Sequence, residues 1–370
     1  MKLINISLIT ALAVSSMVAG GDIKKVETEV VEIEKVVEPS QTTIGGNLKI
    51  YNYTNDSVDF YDKESSSTAT AVTLDVSHEI ISGVTANFTV LGYTDLGDSA
   101  GLLKMEGQST GAFFNVANLT ANYADTTFVG GRQTLDTPMI GSFDWLLAPS
   151  GFEAYTLVNK SVNNLTLVAS FVDKLRANNS GEEFVKLDGD NFTFGASYSD
   201  AFSASVWYYN VDAMNYTEVY ADVGYDYSGV KVEGQVVSTD YDDEGEDSTV
   251  YGLKVSGAFS NVNLSASYAS VTDREAGMVE VDGIYTSSWN TFASQIVTDS
   301  YKLEAGTDFS GFTATASYAD YDTANELDLI LAYEFNEAFS MDAIYTSTEY
   351  DTSSDDGAEG ALELIATYKF

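Results

Sequence analysis

Cysteine is absent from the 370-residue chain, and histidine occurs once, at His78. The first absence removes disulfide frameworks, thiolate metal sites and cysteine nucleophiles. The second leaves little scope for metal clusters or histidine-based catalysis, and no cofactor is expected. Basic residues are scarce, 17 against 56 acidic ones, so a net charge of −39 repels phosphate backbones and excludes nucleic acid as a partner. Proline is rarer still, at three residues, and beyond the N-terminal region no apolar run is long enough for a transmembrane helix. What remains is 44% hydrophobic, with 24 tyrosines and 19 phenylalanines, too apolar for a disordered polyanion. Ser, Thr, Asn and Gly fill the gaps, which is a strand-and-turn vocabulary.

Residues 1–20 read as a secretory signal, with Lys2 at its start, a short apolar core from Leu8, and small residues Ala19, Gly20 and Gly21 at the cleavage region. Residues 21–40 follow as a charged segment in which Ile23, Val26, Val30, Ile33 and Val37 are spaced as a heptad seam. β-branched residues along that seam suit a three-stranded coiled coil and hence a homotrimer, and Pro39 would end the helix. A charged linker, helical only transiently, fits the same residues.

From residue 41 to residue 370 the pattern has period two. In the last strand Leu362, Leu364, Ala366, Tyr368 and Phe370 share one face, while Glu363, Thr367 and Lys369 share the other. Stretches of roughly ten residues with this alternation match a tilted transmembrane strand. Aromatics such as Tyr227, Phe259, Phe309 and Phe335 stand beside short turns, where an interfacial girdle belongs. About eighteen strands can be assigned, within a range of about sixteen to twenty because residues 274–298 have room for another hairpin. Tight connections alternate with longer acidic ones, as short periplasmic turns alternate with external loops. The expected fold is all-β: a transmembrane antiparallel β-barrel over residues 41–370.

One segment carries a more specific likeness. Gly131-Arg132-Gln133-Thr134-Leu135-Asp136-Thr137-Pro138-Met139-Ile140-Gly141, then Asp144-Trp145-Leu146-Leu147-Ala148-Pro149 and Gly151-Phe152-Glu153-Ala154, resembles the constriction-loop region of OprD-type porins. Those are eighteen-stranded outer-membrane channels whose third external loop folds into the pore. Here the segment follows the fifth strand and holds two of the three prolines, as a stiff inward loop would. The resemblance implies a constriction over residues 136–152, with acidic groups on the loop facing basic ones across an eyelet. Asp136 and Asp144 are the acidic candidates, with Arg132 beside them; Thr137, Pro138, Pro149 and Glu153 complete the site. The arginine ladder of that family is missing, since this chain has only Arg132, Arg176 and Arg274. Strand parity points Lys49, Lys160, Lys174, Lys231, Lys254, Lys302 and Lys369 into the lumen instead. A lysine is a point charge rather than a fork, and simple pairing with inward Asp75, Asp222, Glu233, Glu304, Asp308, Asp328 and Glu334 accounts for these residues equally well.

Other motifs carry less. His78 lacks a positioned serine and reads as a solvated rim residue. The acidic run from Asp240 to Asp247 lacks a calcium loop's twelfth-position glutamate, Tyr251 standing there. Gly130-Gly131 lies in a strand, where small residues would let the folded-in loop approach the wall. The expected function is that of a porin, a non-enzymatic diffusion channel for small solutes and ions in the outer membrane of a Gram-negative cell. It is expected to prefer cations and to be bounded by lipid and lipopolysaccharide. The alternative is a surface structural or adhesive barrel with incidental conductance.

Overall fold

The computed structural model describes residues 41–97, 100–350 and 359–370. The expected signal and heptad segments lie outside these residues. Eighteen strands run from β1 (Thr42–Asn55) to β18 (Glu359–Lys369). Each pairs antiparallel with its sequence neighbours, and β1 also pairs with β18, so the sheet closes on itself. Four strands have the ends that alternation predicts: β10 (Tyr216–Tyr227), β11 (Val230–Tyr241), β14 (Asp299–Phe309) and β17 (Phe339–Tyr350). Ser228-Gly229 and Ser310-Gly311 both adopt positive φ, at 55° and 84° and at 51° and 85°. That is the backbone a tight two-residue hairpin needs to match strand twist, and it sharply ends the strands on either side.

Alternation sorts the wall into two faces. On β14, Tyr301 and Leu303 are exposed on the outer face, while Lys302 points inward with an ion pair 3.7 Å long to Glu304 on the same face. Tyr123, Tyr227, Phe259 and Phe309 stand exposed at the tight-turn end. The buried hydrophobic cores lie inside the barrel, because the outer face has no protein to pack against. One joins Met139 and Ile140 to Val279, Ile284 and the wall residue Tyr209; the other joins Leu146 and Leu147 to Tyr51 and Tyr93. Two long loops therefore supply what a sandwich takes from a second sheet.

The additional hairpin for which residues 274–298 have room does not form. Loop 7, residues 273–298, holds only a single 3-10 turn (Ala293–Gln295) and isolated bridges, Ile140 with Val279 and Val279 with Val281. Its short apolar alternation is used against loop 3, residues 134–150, inside the barrel. A second expectation also fails. Gly131, at φ 120°, makes its close approach to β4 (Thr110–Tyr123), where an added Cβ would lie 2.4 Å from the Ala117 carbonyl oxygen, and not to the folded-in loop.

Candidate functional site at the barrel constriction

Loop 3 leaves β5 (Thr126–Gln133) and returns through β6 (Gly151–Asn159). Its contacts with β1, with β9 (Ser203–Val211) and with β18 come from widely separated parts of the wall, so the loop crosses the interior. Thr137 Oγ1 donates to the Ile140 carbonyl at 2.5 Å and accepts from the Tyr209 hydroxyl at 3.3 Å, fixing the turn around Pro138 to β9. At the other end the Pro149 carbonyl accepts from the guanidinium of Arg176, which is fully buried on β7 (Leu165–Arg176), with its charge over the Phe113 ring. Thr137, Pro138 and Pro149 thus hold the loop. The charged members stand elsewhere: Asp136 and Asp144 are exposed to solvent, and Lys49 lies 3.6 Å from Asp144. Lys49 also donates at 3.2 Å to the carbonyl of Leu146, a non-glycine residue held at φ 59°. The surrounding protein disfavours charge on Asp136 and raises its pKa above the ordinary value.

Arg132 is not beside those acids. It faces Glu153 across the β5–β6 ladder at 3.7 Å, and Lys174 of β7 reaches the same carboxylate at 3.0 Å. The guanidinium also stacks on Phe184 of loop 4, residues 177–184, 4.3 Å from the ring centroid. Glu153 is therefore shared by two cations on one stretch of wall, and the cluster keeps one net positive charge. Lys231 pairs with Glu233 at 2.5 Å. Lys254, across the ladder from Glu233, has no ion pair among the described residues and lines a polar recess of about 540 Å³ with Glu304 and Asp308. Lys160 follows directly on β6, its amide donating to the Asp125 carbonyl at 2.8 Å, and its side chain is exposed. His78 stands near the tight-turn end of β2 (Ser66–Ile81), its Nδ1 2.8 Å from the Thr42 hydroxyl.

Loop 7 forms the second half of the constriction. Val279 donates its amide to the Met139 carbonyl at 2.8 Å, and Gly141 donates to the Val279 carbonyl at 3.2 Å, so loops 3 and 7 share a short ladder. Asp282 closes a turn within loop 7, accepting from the amides of Ile284 and Ser294, both at 2.9 Å, and from the Ser287 hydroxyl at 2.8 Å. Glu280 accepts from the amide of Asn178 in loop 4 at 2.9 Å. Desolvation pushes the pKa of both carboxyls up. At the base of the loop Arg274 donates to Asp243 at 2.8 Å and lies 3.6 Å over the Tyr241 ring. Further in, Glu326 of β16 (Ala324–Asn336) accepts from the Asn290 amide at 2.7 Å and the Thr291 hydroxyl at 2.5 Å, and Lys302 donates to the Ser287 carbonyl at 2.8 Å.

The two loops also converge on one side chain of β18. Glu363, 1% exposed, accepts at Oε1 from the Trp145 indole of loop 3 at 3.1 Å and from the Trp289 indole of loop 7 at 2.9 Å, while Tyr51 of β1 donates to its Oε2. Hydrogen bonds to a charged acceptor contribute about 1.5–3 kcal/mol each, more than an exposed ion pair such as Lys49 with Asp144. Parity puts Glu363 on the inward face but gives no sign of these partners.

The sequence matches no family model and no curated protein. Solved structures match along most of the chain. The outer membrane protein OpdK of Pseudomonas aeruginosa superposes with a TM-score of 0.76 at 14% identity, covering 89% of this chain and 98% of that one. OccAB4 of Acinetobacter baumannii gives 0.75 at 16% identity over 91% and 100%, and OccK3 (OpdO) of P. aeruginosa 0.73 at 15% over 89% and 95%. The fold is that of the OprD-type porins. Within this porin fold, the segment that carries the sequence likeness forms loop 3 and its two flanking strands.

Proposed function

We propose that the protein is an outer-membrane porin, a passive diffusion channel for ions and small hydrophilic solutes that prefers cations and catalyses no reaction. The observation that carries this reading is the pair of loops folded across the interior of a closed barrel, with exposed Asp136 and Asp144 on loop 3. A barrel serving only as an anchor or adhesin has no use for such a narrowed, charged and wetted interior.

Selectivity follows from charge placement. Glu153 offsets one of the two charges of Arg132 and Lys174, while Lys231 is paired with Glu233 and Lys302 with Glu304, which leaves few unpaired lumen cations to attract anions. Asp242, Glu244, Glu246 and Asp247 stand exposed on the connection between β11 and β12 (Ser248–Phe259), at the long-loop end of the barrel. Focusing of this kind raises the local cation concentration by about ten-fold or more at low salt. Asp144 and Lys49, in contact at 3.6 Å beside loop 3, present a local dipole to dipolar solutes that pass. Residues 1–20 serve as the export signal, residues 21–40 form a periplasmic segment that supports a homotrimer, and the apolar outer wall meets lipid and lipopolysaccharide.

Reversal potentials of the purified protein in planar bilayers under a salt gradient test this reading. Cation preference is expected, and clear anion selectivity or no conductance would refute it. Liposome swelling with sugars, amino acids and carboxylates then identifies the solutes that pass. Native mass with and without residues 21–40 tests the trimer.

A further inference from the structure

The indoles of Trp145 and Trp289 reach the same oxygen of Glu363 from two loops that leave the barrel wall at different places. No lysine or arginine pairs with Glu363 among the described residues, so its charge is met only by these indoles and by the Tyr51 hydroxyl. A buried carboxylate satisfied only by loop donors gains most when all of them are seated together. Every other fastening of loop 7 to the wall, such as Glu326 with Asn290 or Lys302 with Ser287, grips that loop alone. Loops 3 and 7 also meet directly through Met139, Gly141 and Val279, and Asn178 of loop 4 touches both, but among the described residues Glu363 is the wall side chain that takes a donor from each at a single atom.

We propose that Glu363 is the positioning residue of the constriction, a lock that holds loops 3 and 7 in one fixed relation and so sets the bore and the size limit for solutes. The proposal rests on the channel reading for its consequence, while the lock itself has a readout independent of conductance.

The chain has no cysteine, so spin labels at Asp144→Cys and Asn290→Cys report the separation of the two loops beside their tryptophans. Pulsed dipolar spectroscopy should give a narrow distance distribution with Glu363 present and a broad one in Glu363→Ala. Glu363→Gln keeps an acceptor oxygen at the same place and should restore the narrow distribution. In bilayers, Glu363→Ala should roughly double single-channel conductance, with added open-channel noise and entry of larger sugars in swelling assays; Glu363→Gln should behave as the parent. Should Glu363→Ala fail to fold, Trp145→Phe and Trp289→Phe serve in its place. Each removes one donor, and the double variant should be no worse than the more severe single one, because the lock is lost once either loop is free. An unchanged distance distribution in Glu363→Ala, or strictly additive tryptophan variants, would overturn the lock. A parent protein that conducts nothing would overturn the channel reading and leave the distance test standing.

Discussion

The Lys49 ammonium on β1 lies 3.6 Å from the Asp144 carboxylate on loop 3, and Asp144 keeps 64% of its side chain exposed. A pair so open to water adds little to stability, about 0–1 kcal/mol, and its weight in the proposed channel lies in the charge it presents inside the barrel. Replacing Asp136 and Asp144 together by asparagine should leave thermal stability within about 1 kcal/mol of the parent. It should also shift the reversal potential away from cation preference. An unaltered single-channel record would place the eyelet elsewhere.

Glu153 has the opposite arrangement, one carboxylate between Arg132 and Lys174. Glu153→Gln should leave two like charges uncompensated on the same wall. Reversal potentials should move toward anions by more than for Asp144→Asn alone, and unfolding should become easier by about 1 kcal/mol. Restoring the balance with Lys174→Gln in the same protein should recover most of the parent selectivity.

Loop 7 should respond to pH in two separate windows. Burial raises the pKa of Glu280 and Asp282, even though Arg176 near Glu280 pulls the other way. A carboxyl with a raised folded pKa contributes most below its ordinary value and loses that contribution as pH rises through the raised one. The seating of loop 7 should therefore tighten as pH falls through the raised values toward the ordinary carboxylate range. Asp243 behaves in reverse: the hydrogen bond from Arg274 lowers its pKa, so its contribution is present above the ordinary value of 3.8 and fails only as pH falls through the lowered one. Amide protection factors in loop 7, the exchange rates taken relative to those of unstructured peptide at the same pH, should rise on mild acidification and fall again at the base of the loop in strong acid. A monotonic response would refute this account.

Gly131→Ala is expected to destabilise the barrel by about 1–3 kcal/mol from backbone strain alone, because φ at this position is 120°. The added methyl group would also meet the Ala117 carbonyl. Heat-modified mobility on gels should shift to a lower temperature. Gly130→Ala, where φ is not in the left-handed region and the nearest atoms are ring carbons of Phe128 and Tyr155, should be far milder.

Much of the barrel was legible because its determinants are local. Alternation and Ser-Gly turns specify β10, β11 and β14 residue by residue, since a two-residue hairpin leaves no slack in register. Loop 3 announced itself through Pro138 and Pro149, residues that restrict a chain wherever it goes. The path of loop 7 and the partners of Glu363 were not legible. Period two states which face a side chain takes but not what crosses the lumen to meet it, and Trp145, Trp289 and Tyr51 come from three distant parts of the chain. The pairing of Arg132 with Glu153 is set in the same way, by the β5–β6 register, which residue order alone does not state.

The seam between β1 and β18 ends at Phe370, which exchanges backbone hydrogen bonds of 3.0 and 3.1 Å with Gly46. The strand that closes the cylinder is the last of the eighteen in chain order, and the same strand carries Glu363. A single strand thus completes the backbone ladder of the wall and supplies the acceptor that meets both inner loops, so closure of the cylinder and attachment of its contents fall on one element.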